Sequence, residues 1–144
     1  MALRGPAGDT ARAMSQENVD LLREGIERWN RRDIPGFLRG ADPEIRWEHR
    51  LADLEGDLTG VDAVRAWHED LARHFDHWRV DCDDFRDLGD RVLALGTLRA
   101  VGKESGVETE VPWTVVATFR NGLVTHFIDY ADKDQALEAV GLRE

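Results

Sequence analysis

The stretch VVATFRNGLVTHFIDYAD, Val115–Asp132, decides the fold of this chain. At its centre are Asn121 and Gly122, two residue types that accept the positive φ of a two-residue β-hairpin turn. Residues 108–120 before this turn and residues 123–130 after it are rich in β-branched and aromatic side chains, which favour strands. The sequence therefore predicts an antiparallel hairpin here.

Strands are also predicted before the hairpin. In EIRWEH, residues 44–49, the alternation of side chains places Ile45, Trp47 and His49 on one face of a strand. Two further β-rich segments are residues 78–83, followed by a β-bulge at Asp83-Asp84-Phe85, and residues 91–101. Together with the hairpin, these segments predict a sheet of mostly antiparallel strands.

Helices are predicted mainly in the first half of the chain, where apolar residues recur three and four positions apart. The first helix begins at Gln16 behind a cap at Ser15, and Asp33 caps a short second helix. A third helix follows Gly60, and a last short one ends at Gly141. Helices followed by a run of strands predict an α+β fold, with the helices packed on one face of a curved sheet.

Length, charge and cysteine content restrict the classes of protein. The 144 residues suffice for one domain; residues 1–13 are predicted as a disordered extension and residues 14–144 as the domain. A formal net charge of -10 argues against nucleic acid or an anionic membrane surface as a partner. One cysteine, Cys82, excludes an internal disulfide and favours a reducing, cytoplasmic location. No apolar run approaches the roughly 18 residues of a membrane-spanning helix.

Metal and cofactor sites are not predicted. The spacing of His68, His74 and His77 does not place them on one helical face, and no HExxH pattern occurs. The sequence also lacks a glycine-rich phosphate-binding loop. We therefore predict neither a metal nor a cofactor.

Four motifs in this order resemble those of the nuclear transport factor 2-like superfamily, in its SnoaL-like branch. They are SQENVDLLREGIERWNRRDIPGFL at residues 15–38, DPEIRWEH at 42–49, GVDAVRAWHEDL at 60–71 and NGLVTHFIDYADKDQALEAVGL at 121–142. The resemblance implies a cone, in which a bent sheet wraps around helices and encloses a largely apolar pocket. It also implies a homodimer formed through the sheet. Because such cones serve isomerases, epoxide hydrolases, cyclases, dehydratases and proteins without catalysis, the fold does not fix the function.

The resemblance also implies a site. In limonene epoxide hydrolase-like enzymes a Tyr-x-Asn pair on the first strand helps to hold the attacking water, and Trp47 and His49 match it. The proton-shuttling Asp of ketosteroid isomerase-like enzymes also falls at His49. IDYAD, residues 128–132, matches the closing segment that carries the water-activating Asp, which places that role at Asp129.

The resemblance also implies which side chains of the last strand face the pocket. Asp129, Phe127 and Thr125 are expected to face the pocket. His126, Ile128 and Tyr130 are expected to face away from it.

Some residues of those enzymes have no counterpart here. The Arg–Asp pair of the epoxide hydrolases falls on Gly96-Thr97-Leu98, so it is missing unless a register slip brings Arg99 into the pocket. The Tyr and the protonated Asp of the isomerases fall on Gly25 and near Val115, which argues against an isomerase mechanism. Of the residues that the resemblance implies for the site, a His49–Asp129 pair in a tryptophan-lined pocket remains.

Each candidate also has a structural interpretation. His49 is either a proton-transfer group or an ordinary half-buried histidine. Asp129 is either functional or a buried carboxylate bonded to nearby backbone. The predicted ligand-binding residues, which are equally typical of a core, are Trp47, Trp67, Leu98, Trp113 and Phe127.

Two classes of function stay open. The first is a cofactor-independent acid/base enzyme, a hydrolase, isomerase, dehydratase or cyclase, that acts on an apolar, oxygen-bearing compound. The second is a non-catalytic ligand-binding or scaffold protein. In both, the partners are an apolar small molecule and a second copy of the chain, because the strands at residues 91–130 carry apolar side chains on both faces. Residues 51–60, which follow His49, are expected to border the pocket.

Overall fold

The computed structural model describes residues 5–50, 57–130 and 132–142. The elements in chain order are α1 (Gly5–Asn30), α2 (Ile34–Arg39), β1 (Ala41–Arg50), β2 (Leu58–Thr59), α3 (Val61–His74), β3 (Phe75–Asp87), β4 (Arg91–Gly102), β5 (Glu108–Arg120), β6 (Leu123–Tyr130) and α4 (Lys133–Ala139). The predicted α+β fold is confirmed. Residues 51–56, most of the segment expected to border the pocket, lie outside the described residues.

The strands form one curved, unclosed sheet in the order β2-β1-β6-β5-β4-β3. Neighbouring strands pair antiparallel except for β1 and β6, which are parallel. This pairing brings the first long strand beside the last one. The short strand β2 was not predicted, because two residues are too few to show an alternating pattern.

The hairpin and the bulge predicted from the sequence are both present. Asn121 and Gly122 have φ values of 53° and 79°, as a turn with two positive φ angles requires. The register between β3 and β4 shifts between Cys82 and Asp84, within one residue of the predicted bulge. The turn signal therefore placed the ends of β5 and β6 correctly, whereas β3, at Phe75–Asp87, is longer than the segment predicted at residues 78–83.

The helix starts agree with the sequence only in part. Asp33 caps α2 as predicted, since its side chain accepts a hydrogen bond of 3.0 Å from the backbone N–H of Gly36. In contrast, α1 begins at Gly5 and not at Gln16, so Ser15 is not its cap and the helix extends into the predicted disordered segment. The stretch Thr10-Ala11-Arg12-Ala13-Met14 has residues that a helix tolerates well. The domain boundary at residue 14 stays a prediction.

The core lies between the concave face of the sheet and the helices α1, α2 and α3. Side chains of α1 that recur at helical spacing are buried here: Val19, Leu22, Ile26 and Trp29. They meet alternate residues of the strands, among them Val92 and Ala94 of β4 and Val115 and Ala117 of β5. The cone therefore has its apolar interior on the face that these alternate residues share.

The last helix lies on the other face of the sheet. Ala136 and Leu137 of α4 pack with Leu93 of β4 and Val116 of β5, whose side chains point away from the core of the cone. The expectation that all helices pack on one face is therefore wrong for α4. Its position explains why β4 and β5 carry apolar side chains on both faces.

Candidate functional site

A cavity of about 270 Å³ opens between the concave sheet face and the helices α1 and α3. Most of its wall is aromatic or aliphatic, and all five tryptophans of the chain contribute to it. The structure places in this wall every residue predicted for the site: His49, Trp47, Trp67, Leu98, Trp113, Phe127 and Asp129. That they bind a ligand stays a prediction.

The parallel pairing of β1 and β6 brings the two candidate catalytic residues together. His49 is the register partner of Asp129, and Trp47 is the register partner of Phe127. Because side chains two residues apart share a face of a strand, all four point into the cone. The sheet register alone therefore makes His49 and Asp129 neighbours.

The contact between the pair is close but not yet a hydrogen bond. Nδ1 of His49 lies 3.2 Å from Oδ2 of Asp129, a distance that suits an ion pair or a hydrogen bond. The direction of approach falls outside hydrogen-bond geometry, since Nδ1 has no hydrogen-bond partner among the described residues.

The carboxylate is held by a third residue. The indole Nε1–H of Trp47 donates a hydrogen bond of 2.9 Å to Oδ2 of Asp129. The second oxygen, Oδ1, is buried and has no partner among the described residues, and the same is true of both ring nitrogens of His49. Since buried polar groups in proteins nearly always have partners, these atoms mark a place for water or ligand.

Aromatic rings fix the imidazole of His49. Its ring centroid lies 5.2 Å from that of Trp67 and 6.2 Å from that of Trp47, the latter nearly parallel at 27°. Its side chain is only 4% exposed. The ring therefore has little room to move unless the indoles move with it.

The faces of β6 agree with the expected assignment except at Thr125 and Tyr130. His126 contacts Glu48 on the opposite side of β1 from Trp47 and His49, so it faces away from the cavity. Thr125 does not line the cavity, because the register between β5 and β6 shifts there and its hydroxyl donates to the carbonyl of Thr118. The expectation that Thr125 faces the pocket is therefore wrong.

At the end of β6, Tyr130 contributes to both faces. It lines the cavity, and it also packs against the α4 cluster of Leu93 and Val116. The expectation that Tyr130 faces away from the pocket is therefore wrong in part, because its position at the strand end allows both contacts.

No room exists for the arginine of the epoxide hydrolase pair. A Cβ atom at Gly96 lies 2.3 Å from the carbonyl oxygen of Asp81, closer than any side chain tolerates. Arg99 does not replace it, because its guanidinium pairs with Asp81 and Glu110 at the exposed side of the sheet. The register slip that would bring Arg99 inward does not occur.

The isomerase positions hold no polar side chain here, although Val115 on β5 is the register partner of Asp129. Gly25 borders a separate cavity of about 50 Å³, and Val115 is fully buried in the core. Neither position places a hydrogen-bond donor at the His49–Asp129 pair. The residues around the His49–Asp129 pair therefore match neither the epoxide hydrolase site nor the isomerase site.

A second buried histidine, His68 of α3, was considered from the sequence only as a metal ligand. Its ring packs edge-on against Trp29 and Trp78, with centroids 4.9 and 5.2 Å away. Burial lowers the pKa of His68, Arg32 lowers it further, and Glu69 opposes the shift. Among the described residues, no group of three or more His, Cys, Asp or Glu side chains is placed to hold a metal ion.

Family comparison agrees with this geometry. A family model described as the SnoaL-like domain matches residues 22–127, most of the chain, so the chain belongs to the SnoaL-like family. The predicted relationship to the nuclear transport factor 2-like superfamily is thereby confirmed. The chain matches no protein of curated function, and none of its described helices has the length and apolar character needed to cross a membrane.

Solved structures share the fold. A nuclear transport factor 2-like protein of unknown function from Burkholderia pseudomallei is 30% identical, with a TM-score of 0.73 over 86% of this chain and 97% of that one. A putative SnoaL-like polyketide cyclase from Jannaschia is 17% identical, with a TM-score of 0.71 over 90% and 94%. A hypothetical protein with a ketosteroid isomerase-like fold from Catenulispora acidiphila, in complex with trimethylamine, is 15% identical, with a TM-score of 0.70 over 85% and 93%. The last two support the fold alone.

Proposed function

We propose that the chain is a cofactor-independent acid/base enzyme that acts on an apolar, oxygen-bearing small molecule. The observation that carries this proposal is the 3.2 Å contact between His49 Nδ1 and Asp129 Oδ2 in the wall of an aromatic cavity. Imidazole suits proton transfer near neutral pH. A carboxylate beside it fixes the orientation of the ring.

In the proposed chemistry the two residues have different tasks. Asp129 orients His49 through Nδ1, and Nε2 takes a proton from water or from the substrate. The aromatic wall binds the apolar body of the substrate, and its oxygen-bearing group lies against the pair. Hydrolysis, isomerisation, dehydration and cyclisation all fit this division of tasks. Because His49 is 4% and Asp129 12% exposed, the substrate reaches them only if the surrounding rings shift.

The alternative is a non-catalytic ligand-binding protein with the same cavity. One observation favours it: among the described residues that line the cavity, none is Lys or Arg. Developing negative charge in a transition state is usually stabilised by such groups or by preorganised hydrogen-bond donors. A protein that only holds an apolar ligand needs neither.

Measurements of ligand binding and of turnover distinguish the enzyme from the binding protein. A thermal-shift screen with apolar epoxides, ketones and hydroxylated aromatic compounds identifies ligands, because binding to the native state raises Tm. Each ligand is then incubated with the wild type and with Asp129→Asn, and products are measured by mass spectrometry. Conversion that Asp129→Asn loses supports the enzyme. Ligands that raise Tm without conversion by the wild type overturn it in favour of the binding protein.

The proposed assembly is a homodimer, and the proposed location is the cytoplasm. Partial support for the dimer comes from the convex face, where Leu95 and Ile128 are only partly buried. The helix α4 already covers Leu93 and Val116 on this face, so the apolar area left for a partner is smaller than the sequence alone implies. A single cysteine, Cys82, fits a reducing compartment.

A further inference from the structure

One side chain contacts both members of the His49–Asp129 pair. The Nε1–H of Trp47 donates to Oδ2 of Asp129 at 2.9 Å, and that same oxygen lies 3.2 Å from Nδ1 of His49. The indole of Trp47 also lies nearly parallel to the imidazole, at an interplanar angle of 27°. Trp47 therefore touches the carboxylate through its donor and the imidazole through its ring.

The position of Trp47 is itself firmly determined. Its ring centroid is 4.4 Å from that of Phe127, its register partner, and 5.5 Å from that of Trp67 on α3. The residue is 4% exposed. A side chain packed on both sides in this way keeps one rotamer, so its N–H is aimed at Asp129 before any ligand arrives.

We infer that Trp47 is a positioning residue for Asp129. Trp47 holds Oδ2 of the carboxylate and leaves Oδ1 as the oxygen that meets the ligand. Oδ1 is buried and has no partner among the described residues. An ionised carboxylate oxygen only accepts hydrogen bonds, so the ligand group that lies against it is a donor: a water molecule, a hydroxyl or an enol. This inference rests on the proposed function and adds to it the class of polar group that the site takes.

The same hydrogen bond restricts how Trp47 binds the ligand. Its N–H is the one polar group of the indole, and Asp129 already occupies it. A ligand therefore meets Trp47 only through the ring, by stacking or apolar contact. Substitution of Trp47 by Phe keeps an aromatic ring in the wall and removes the donor, which separates the two roles.

The hydrogen bond is tested without any ligand, by NMR of protein labelled with ¹⁵N at tryptophan. The five indole N–H resonances are assigned by single Trp→Phe variants. In Asp129→Asn we expect the Trp47 resonance to move upfield by more than any of the other four, because its acceptor loses a charge. Retention of the remaining resonances shows that the variant is folded.

A matched control comes from the neighbouring residue on β1. Glu48 is also a buried acid, but it contacts His126 on the opposite face of the sheet. Glu48→Gln therefore leaves the Trp47 resonance in place. A Trp47 resonance that stays unmoved in Asp129→Asn, or that moves as far in Glu48→Gln, overturns the inference.

Kinetics distinguish this inference from the proposed function. With a substrate from the thermal-shift screen, Trp47→Phe lowers kcat and changes KM little. Trp113→Phe, which removes wall area at a residue that packs on Phe127, mainly raises KM. If the resonance moves as expected but Asp129→Asn turns over at the wild-type rate, the proposed function fails and the hydrogen bond stands. If Trp47→Phe raises KM alone, Trp47 is only part of the wall and the positioning role is wrong.

Discussion

His49 on β1 and Asp129 on β6 are register partners across a pair of parallel strands, and their side chains approach to 3.2 Å inside the cone. Asp129→Asn keeps the shape of this contact and removes the charge. We expect it to retain the fold and ligand binding and to lose turnover by about 10²–10⁴-fold, the usual contribution of acid/base catalysis.

A double variant tests whether His49 and Asp129 act together in turnover. If His49 and Asp129 act as a unit, His49→Ala combined with Asp129→Asn loses no more turnover than the more severe single variant. Steady-state kinetics of the two single variants and the double variant measure this. Losses that multiply would show that the two residues act independently.

Gly96→Ala should destabilise the protein by about 1–3 kcal/mol, the typical cost of overpacking, because the backbone it meets cannot easily move away. The added Cβ lies 2.3 Å from the carbonyl oxygen of Asp81 and 2.9 Å from Cα of Cys82. The bulge in β3 between Cys82 and Asp84 brings this backbone onto position 96. Urea unfolding measures the change in the free energy of unfolding.

The same substitution at Gly25 provides the contrast. A Cβ there meets only the Phe37 ring, at an ordinary 3.8 Å, and the residue lies within α1. Gly25→Ala should therefore stabilise the protein by about 0.5–1 kcal/mol through helix propensity. Equal effects at both positions would contradict the steric explanation.

The buried His68 makes stability depend on pH. Burial and Arg32 hold its pKa below the ordinary value of 6.5, and Glu69 only partly opposes them. The unfolded chain therefore binds a proton at His68 at a higher pH than the folded chain does, so this residue lowers stability as pH falls below about 6.5. When the pH is lowered from about 7.5 to about 5, the free energy of unfolding should therefore fall less in His68→Leu than in the wild type.

The control for this prediction is His74, on the same helix. Its side chain is 66% exposed, so His74→Leu should leave the pH dependence close to that of the wild type. Urea unfolding series at several pH values provide the comparison. A His68→Leu variant with the pH dependence of the wild type would show that other groups are responsible.

The thiol of Cys82 should react slowly. Burial raises its pKa to about 11 from the ordinary value of 9.0, and its S–H donates to the carbonyls of Leu95 and Asp84. The thiolate fraction then falls about 100-fold and the intrinsic nucleophilicity rises about tenfold, which leaves a reaction at least about tenfold slower than that of a free thiol. Ellman's reagent at about pH 8, with and without urea, measures the ratio. Equal rates with and without urea would contradict the expected slow reaction of Cys82.

We expect a homodimer in solution. Light scattering at micromolar concentration should give twice the chain mass of 16.3 kDa. Ile128→Lys, on the convex face and away from the cavity, should convert the dimer to a folded monomer because a buried charge at an interface is costly. Thr118→Lys on the same face is a further probe of where the interface lies. A wild-type mass near 16 kDa would contradict the proposal.

Local signals predicted the fold well because they act over a few residues. Asn121 and Gly122 determine a turn wherever they stand between strands, and Asp33 can cap a helix without distant help. The start of α1 was wrong because Ser15 is compatible with a cap but does not enforce one, and the residues before it are also good helix formers. The bulge at Thr125 was missed since it depends on the register with β5, which no short stretch reveals.

The resemblance predicted the His49–Asp129 pair and its tryptophan-lined pocket, but not the contacts around the pair. Family resemblance indicated His49 and Asp129, but the 3.2 Å contact depends on the pairing of strands that lie at opposite ends of the domain. The hydrogen bond from Trp47 was not foreseen, because an indole on a buried strand face is equally typical of a core. The burial of His68 was missed because its position on α3 was judged only for metal spacing.

The pairing of β1 with β6 also has a consequence for biosynthesis. Within the described sheet, β1 has only the two-residue β2 and the terminal β6 as neighbours. Before β6 has emerged from the ribosome, β1 therefore exposes one almost complete strand edge together with the indole of Trp47. Such an edge is a template for pairing with other chains. The nascent protein is thus most vulnerable to aggregation just before β6 emerges, and the His49–Asp129 contact forms when β6 closes this edge.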